Sequence, residues 1–154
     1  MGIGVHDFKV SDEWSNFRCK KFQEVFPKKL IQTGGMNKED FIIESSRNRI
    51  ELKSEKYFSG RNLFIERHSN MEFKTDGGPW RARKHGIEYY IHFFLDDVYL
   101  VYDPVEIVPF LEKFIVDYNP KGTSIFNKGW ETWGYALSIK LLRPFELQFN
   151  TKNS

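Results

Sequence analysis

The residue types best suited to chemistry lie between Glu51 and His68. They stand in two runs, Arg49-Ile-Glu-Leu-Lys-Ser-Glu-Lys-Tyr57 and Arg61-Asn-Leu-Phe-Ile-Glu-Arg-His68, separated by Phe-Ser-Gly. Both runs alternate in the manner of a β-strand, whose successive side chains point to opposite faces. Ile50 and Leu52 then share one face of the first strand, and Glu51, Lys53 and Glu55 the other. In the second, Leu63 and Ile65 oppose Phe64, Glu66 and His68. A hairpin folded about Gly60 sets Glu55 opposite Glu66 and Lys53 opposite His68. Like charges directly opposite each other destabilise a sheet. The pattern therefore predicts a cation bound between the two carboxylates.

This hairpin resembles the core of the PD-(D/E)XK nuclease superfamily, in particular small phage-encoded members. The residues that carry the resemblance are Lys53-Ser-Glu-Lys56, Gly60-Arg-Asn62 and Phe64-Ile-Glu-Arg-His68. Gly77-Gly-Pro-Trp-Arg-Ala82 and Gly86-Ile-Glu-Tyr-Tyr-Ile91 continue it, so that it spans residues 40 to 118. Two positions depart from the pattern: Glu55 stands where Asp is expected, and His68 where the E-x-K lysine is expected. The resemblance implies a metal-dependent DNA endonuclease built on a single α/β domain, with a central mixed β-sheet flanked by helices (a restriction-endonuclease-like core).

The implied chemistry is metal-assisted phosphodiester hydrolysis. Mg²⁺ keeps several waters, so one or two protein carboxylates suffice to hold it. Such an ion polarises a phosphoryl oxygen and acidifies a bound water, while a neighbouring cation offsets charge in the transition state. On this reading Glu55 and Glu66 hold Mg²⁺ or Mn²⁺, with the carbonyl of Arg67 as third ligand. Lys53 replaces the missing lysine, His68 serves as general base or softer ligand, and Glu51 is in reserve. The alternative is a catalytically inactive descendant that binds nucleic acid or protein; an unrelated aromatic-rich interaction domain is a third reading. A half-exposed strand also looks like Glu51, Lys53 and Glu55 alternating with Ile50 and Leu52.

A second register matches the generic D…(D/E)-x-K pattern without departure: Asp40, then Glu51-Leu-Lys53. The two registers share Lys53. The first is preferred here because it also accounts for Asn62 and for Gly77 to Trp80. Trp80, Arg81, Arg83 and Lys84, beside the Gly-Gly turn, are the candidate DNA contacts, with Trp80 either a core plug or an aromatic wedge. Lys20-Lys21 and Lys28-Lys29 read as solvated surface charge. His6, His85 and His92 read as surface or packing residues.

Several elements must position these groups. Ser11-Asp-Glu opens a helix to Phe26, capped by Ser11 and striped by Trp14, Phe17, Phe22 and Val25. Thr33 to Asn37 is a loop, and Asp40 to Glu44 a strand leading into a three-stranded meander with the two runs above. Residues 70–79 form a polar loop, and Trp80 to His85 a short helix stopped by Gly86. Ile87 to Phe94 and Val98 to Tyr102 are strands joined by a turn at Asp96-Asp97. Asp103-Pro-Val-Glu106 caps a helix running to Tyr118, with a kink or restart expected at Pro109. The aromatic-rich extension 119–154, beyond a core at 10–118, reads as completing that core.

Bulk properties bound the rest. A chain of 154 residues with fifteen Phe and 40% hydrophobic residues can bury one core without disulfides or structural metal. The single cysteine, Cys19, fits a reducing compartment. No apolar run nears the length of a membrane span. Residue 6 is His where a myristoylation signal needs Ser or Thr. The expected setting is cytoplasmic, in the host cell if phage-encoded. A net charge of +2 neither demands nor excludes nucleic acid. The expected partner is DNA, branched or structured forms included, with a homodimer left open.

Overall fold

Alternation along the strands sorts the apolar side chains into two clusters, one on each face of a central sheet. The computed structural model describes residues 8–33, 39–55, 62–94 and 99–148, with the backbone alone at 8–15, 54, 55 and 99. The chain begins with α1 (Phe8–Val25), β1 (Leu30–Gln32), β2 (Phe41–Ile43) and β3 (Arg49–Glu55). It continues through β4 (Asn62–Asn70), β5 (Thr75–Asp76), α2 (Gly78–Lys84), β6 (Tyr89–Phe94) and β7 (Tyr99–Tyr102). Last come α3 (Pro104–Tyr118), β8 (Gly122–Asn127), β9 (Trp130–Ser138), α4 (Ile139–Leu142) and a 3₁₀ turn (Arg143–Phe145). The protein is thus a mixed α/β chain, with two sheets and four α-helices among the described residues. None of those helices is long and apolar enough to cross a membrane.

The central sheet runs β1-β2-β3-β6-β7. Only β3 and β6 are parallel; every other neighbouring pair in it is antiparallel. Parallel neighbours require a long crossover, and here that crossover contains β4, β5 and α2. On one face, Phe41, Ile43, Ile50, Ile91, Phe93 and Val101 pack under α1. The Phe22 ring of α1 lies 5.6 Å from Phe41 and 5.4 Å from Phe93. Phe22 is fully buried, a contribution of about 1.5–3 kcal/mol by area. On the other face, Tyr90, Phe94, Leu100 and Tyr102 meet Trp80, the α3 residues Ile107, Val108 and Leu111, and the second sheet.

That second sheet is antiparallel throughout, in the order β5-β4-β9-β8. It corrects the hairpin expected from sequence. β3 has β2 on one edge and β6 on the other, so no edge remains for β4. β4 pairs instead with β9, where Leu63 and Ile65 stand opposite Leu137 and Tyr135. These four side chains are buried in one cluster, and closing that cluster outweighs the short loop that a β3–β4 hairpin would need. The expected meander therefore stops at β3. The C-terminal part is integral to the core, which it joins through Tyr135, Leu137, Ile139 and Leu142.

Other expectations meet mixed outcomes. The Asp103 carboxylate accepts from the Val105 N–H at 2.9 Å and caps α3, as the Asp-Pro start predicts. Pro109 lies inside α3 without dividing it, and Asn119 closes the helix in the left-handed conformation. β1 and β5 were not foreseen. Ser11 is not the cap expected of it: α1 already runs from Phe8, which places Ser11 inside the helix. The turns about Gly60 and Asp96-Asp97, the 34–37 loop and the side chain of Trp14 lie outside the described residues.

Candidate active site

β2 stops one residue short of where its ladder with β3 could continue. Its last cross-strand pair is Phe41 with Ile50, so the same register carried one step further sets Asp40 opposite Glu51. Asp40 donates its own N–H to the Ile50 carbonyl at 2.8 Å. Its Oδ2 accepts the Leu52 N–H at 2.7 Å, taking the place of the missing strand partner. Asp40 is thereby locked beside Glu51, on the face where alternation also puts Lys53. The parallel neighbour completes this face, since Glu51 pairs with Tyr90 and Lys53 with His92.

The facing wall comes from the crossover. Glu66, on β4, accepts the Gly78 N–H through Oε2 at 3.2 Å. A Cβ on Gly77 would come within 2.2 Å of that same oxygen, so only glycine lets the turn close on the Glu66 carboxylate. Gly78 sits at φ +48°, and a Cβ there would meet the Glu66 carbonyl at 2.4 Å. One turn into α2, Arg81 looks back over the same space. Asp40, Glu51, Lys53, Glu66, Arg81 and Tyr90 line a cavity of about 220 Å³.

Electrostatics follow from this crowding. Burial pushes the Glu51 carboxyl up to about 7, and the charges of Asp40 and Glu66 push it the same way, against the pull of Arg81 and Lys53. Asp40 is raised as well, chiefly by burial, with Glu39 adding to the rise while the Leu52 N–H and Arg81 oppose it. Glu39 itself is held by Arg49, whose Nε lies 2.9 Å from its Oε1. Among the described residues no hydrogen bond or ion pair ties down the Glu51 carboxylate.

The donors here are carboxylate oxygens, with no thiolate or imidazole on the cavity wall, which suits a hard cation such as Mg²⁺ or Mn²⁺. Among the described residues, no group of three His, Cys, Asp or Glu side chains is close enough to hold an ion unaided. Mg²⁺ needs only one or two protein carboxylates, a number that Asp40 and Glu51 could provide.

The sequence-derived candidates divide. Lys53 and Glu66 line the cavity, and so does Arg81. Glu55 lies at the end of β3, in register with Phe94 rather than with Glu66; its side chain is outside the described residues. His68 is not in the cavity lining. It pairs with Asp76 and Trp133 in the second sheet, and its ring stacks 6.3 Å from that of Trp133. Burial and the charges of Arg67 and Lys74 hold its pKa below the usual range, which favours a neutral ring. Arg67 gives its carbonyl to the Gly77 N–H at 3.0 Å, and its guanidinium to Asp76 and the face of Trp80.

Trp80 is the core plug rather than a wedge: it is 3% exposed, and its indole N–H donates to Glu112 at 3.2 Å. Arg83 faces the same Glu112 at 3.9 Å, and Lys84 is exposed. His92 is a buried packing residue in contact with the Tyr102 hydroxyl at 2.6 Å. Tyr90 was not singled out from sequence. Only the parallel β3–β6 register brings it to Glu51, and nothing local in the chain encodes that register. The site therefore gathers the second register, Asp40 with Glu51-Leu-Lys53, and adds Glu66 from the first. Compared with family models, with curated proteins and with solved structures, the chain matches none.

Proposed function

We propose that the protein is a metal-dependent DNA endonuclease of the PD-(D/E)XK type, with Asp40, Glu51 and Lys53 as its motif. One observation carries this reading: Asp40, Glu51, Lys53 and Glu66, brought from three separate strands or strand ends, surround a single polar cavity. The five-stranded mixed sheet with α1 on one face and α2 and α3 on the other agrees with the core that the resemblance implies. Asp40 and Glu51 would hold the ion, with Glu66 on the opposite wall. When bound, it would polarise a phosphoryl oxygen and supply an acidified water.

The protein's own groups do the remaining work. The Leu52 N–H fixes the Asp40 carboxylate and leaves its second oxygen for the ion. Lys53, two residues from Glu51 on the same side of the strand, offers an ammonium that offsets charge developing on the phosphate. Tyr90, in register with Glu51 on the neighbouring parallel strand, closes the side of the cavity next to that carboxylate. The test is cleavage of supercoiled and branched DNA by purified protein with Mg²⁺ or Mn²⁺, and with chelator. Cleavage that requires the ion and falls by at least a hundredfold in Asp40→Asn and Glu51→Gln is expected, on the scale of losing one transition-state contact. Metal-independent DNA binding without any cleavage would favour the inactive binding module instead.

A further inference from the structure

The cavity holds one cation whose placement ligand chemistry for the carboxylates does not explain. Arg81 projects from α2 into the lining, across from Asp40 and Glu51. Four other arginines are engaged: Arg49 with Glu39 and the His85 carbonyl, Arg67 with Asp76, Arg83 with Glu112 and Arg143 with Glu146. The Arg81 guanidinium makes no hydrogen bond or ion pair among the described residues, although its charge reaches both Asp40 and Glu51. It is also exposed. An arginine near two acids yet bonded to neither has its planar fork available for a third party.

The helix that carries it is rigidly seated. Gly78, Pro79, Trp80 and Ala82 are buried, and Arg81 lies on the exposed side of α2 where it borders the cavity. A guanidinium fork matches two oxygens of one phosphate, which a lysine ammonium cannot do. Resting on the nuclease reading above, we infer that Arg81 is the contact for the phosphodiester group seated over Asp40 and Glu51. In the absence of substrate it lies near the carboxylates as a loose counter-ion. Once a divalent cation has neutralised them, the guanidinium turns to the non-bridging oxygens of the phosphate. Phosphate capture in the cavity is thereby coupled to cation binding, and Arg81 is the residue that couples them.

The experiment uses the full chain, a short DNA duplex and Ca²⁺ as a hard, oxygen-seeking probe ion. Ca²⁺ affinity is measured first without DNA, then DNA affinity with and without Ca²⁺ at fixed salt. In the parent, Ca²⁺ tightens DNA binding. In Arg81→Ala that tightening is expected to fall at least tenfold, while Ca²⁺ affinity without DNA stays equal or rises because a cation has left the acid cluster. Arg81→Lys should recover only part of the loss. Both variants alter an exposed side chain, so folding is little affected. If Arg81→Ala keeps the full Ca²⁺-dependent gain, Arg81 is a counter-ion only, and the inference is overturned while the nuclease reading stands. If the parent shows no response of DNA affinity to Ca²⁺, the coupling is overturned, and the nuclease reading is decided separately by the cleavage assay above.

Discussion

Glu51 is the site residue whose titration is pushed furthest from its ordinary range. Its carboxyl is raised to about 7 by burial and by Asp40 and Glu66. A carboxyl raised in the folded state binds more protons folded than unfolded between its two pKa values, so stability falls as pH climbs. The stabilisation is present below about 4.5 and is lost as pH rises through about 7. Asp40, raised in the same direction, adds to this slope. Glu51→Gln removes the titration, and the thermal midpoint of the variant should exceed that of the parent by a margin that widens from pH 5 to pH 8. Parallel midpoint profiles for the two proteins would contradict the electrostatic account of the cavity. Gain of stability with loss of activity is the pattern expected of a strained functional group.

The same residues mark what could be read from the chain. Alternation correctly puts Glu51 and Lys53 on one face and Ile50 on the other, because a period of two is a local property. It does not name the neighbouring strand. Asp40 and Glu51 are joined by the end of the β2 ladder and by a side-chain bond to the Leu52 N–H; such a bond leaves no mark in spacing.

Among the elements, the β4–α2 junction decides whether Glu66 belongs to the site. Gly77 has extended backbone, φ −129° and ψ 179°, which any residue adopts. Gly77→Ala should therefore fold. Its methyl would occupy the position of the Glu66 carboxylate and push it aside, at the far end of a flexible side chain. We expect a thermal midpoint within a few degrees of the parent and an activity close to that of Glu66→Gln. Gly78→Ala differs, because φ +48° is strained for alanine and its methyl meets backbone at Glu66, a cost of about 1–3 kcal/mol. A Gly77→Ala protein with parental activity would remove Glu66 from the mechanism.

Element existence was largely legible, from helix stripes, the Asp103-Pro104 cap and the apolar run of β6. Element partnership was not. The short segment between β3 and β4 reads as a hairpin, yet β4 joins β9 about 70 residues away in sequence. Pro109 shows a related limit. The proline removes one N–H from the α3 ladder, and burial of Ile107, Val108 and Leu111 on either side holds the helix together regardless.

At the scale of the molecule, the two layers have different tasks. The central sheet and α1 form an apolar platform, with Asp40, Glu51 and Lys53 on its opposite face at the end of β2. The second sheet and α2 supply the facing wall, Glu66 and Arg81, from a segment inserted between the parallel strands β3 and β6. The site thus lies on the seam between the central sheet and the crossover that follows β3. Crossovers between parallel strands are where such a wall can be added without disturbing the sheet that carries the carboxylates.

The central proposal is that the ion is held by Asp40 and Glu51, not by Glu55 and Glu66 with the Arg67 carbonyl. It is tested most directly by calorimetric titration of Mn²⁺ into four proteins side by side: the parent, Asp40→Asn, Glu51→Gln and Glu55→Gln. The account predicts a single site in the parent, affinity reduced at least tenfold in the Asp40 and Glu51 variants, and little change in the Glu55 variant. Severe loss in Glu55→Gln with parental affinity in Asp40→Asn would contradict it.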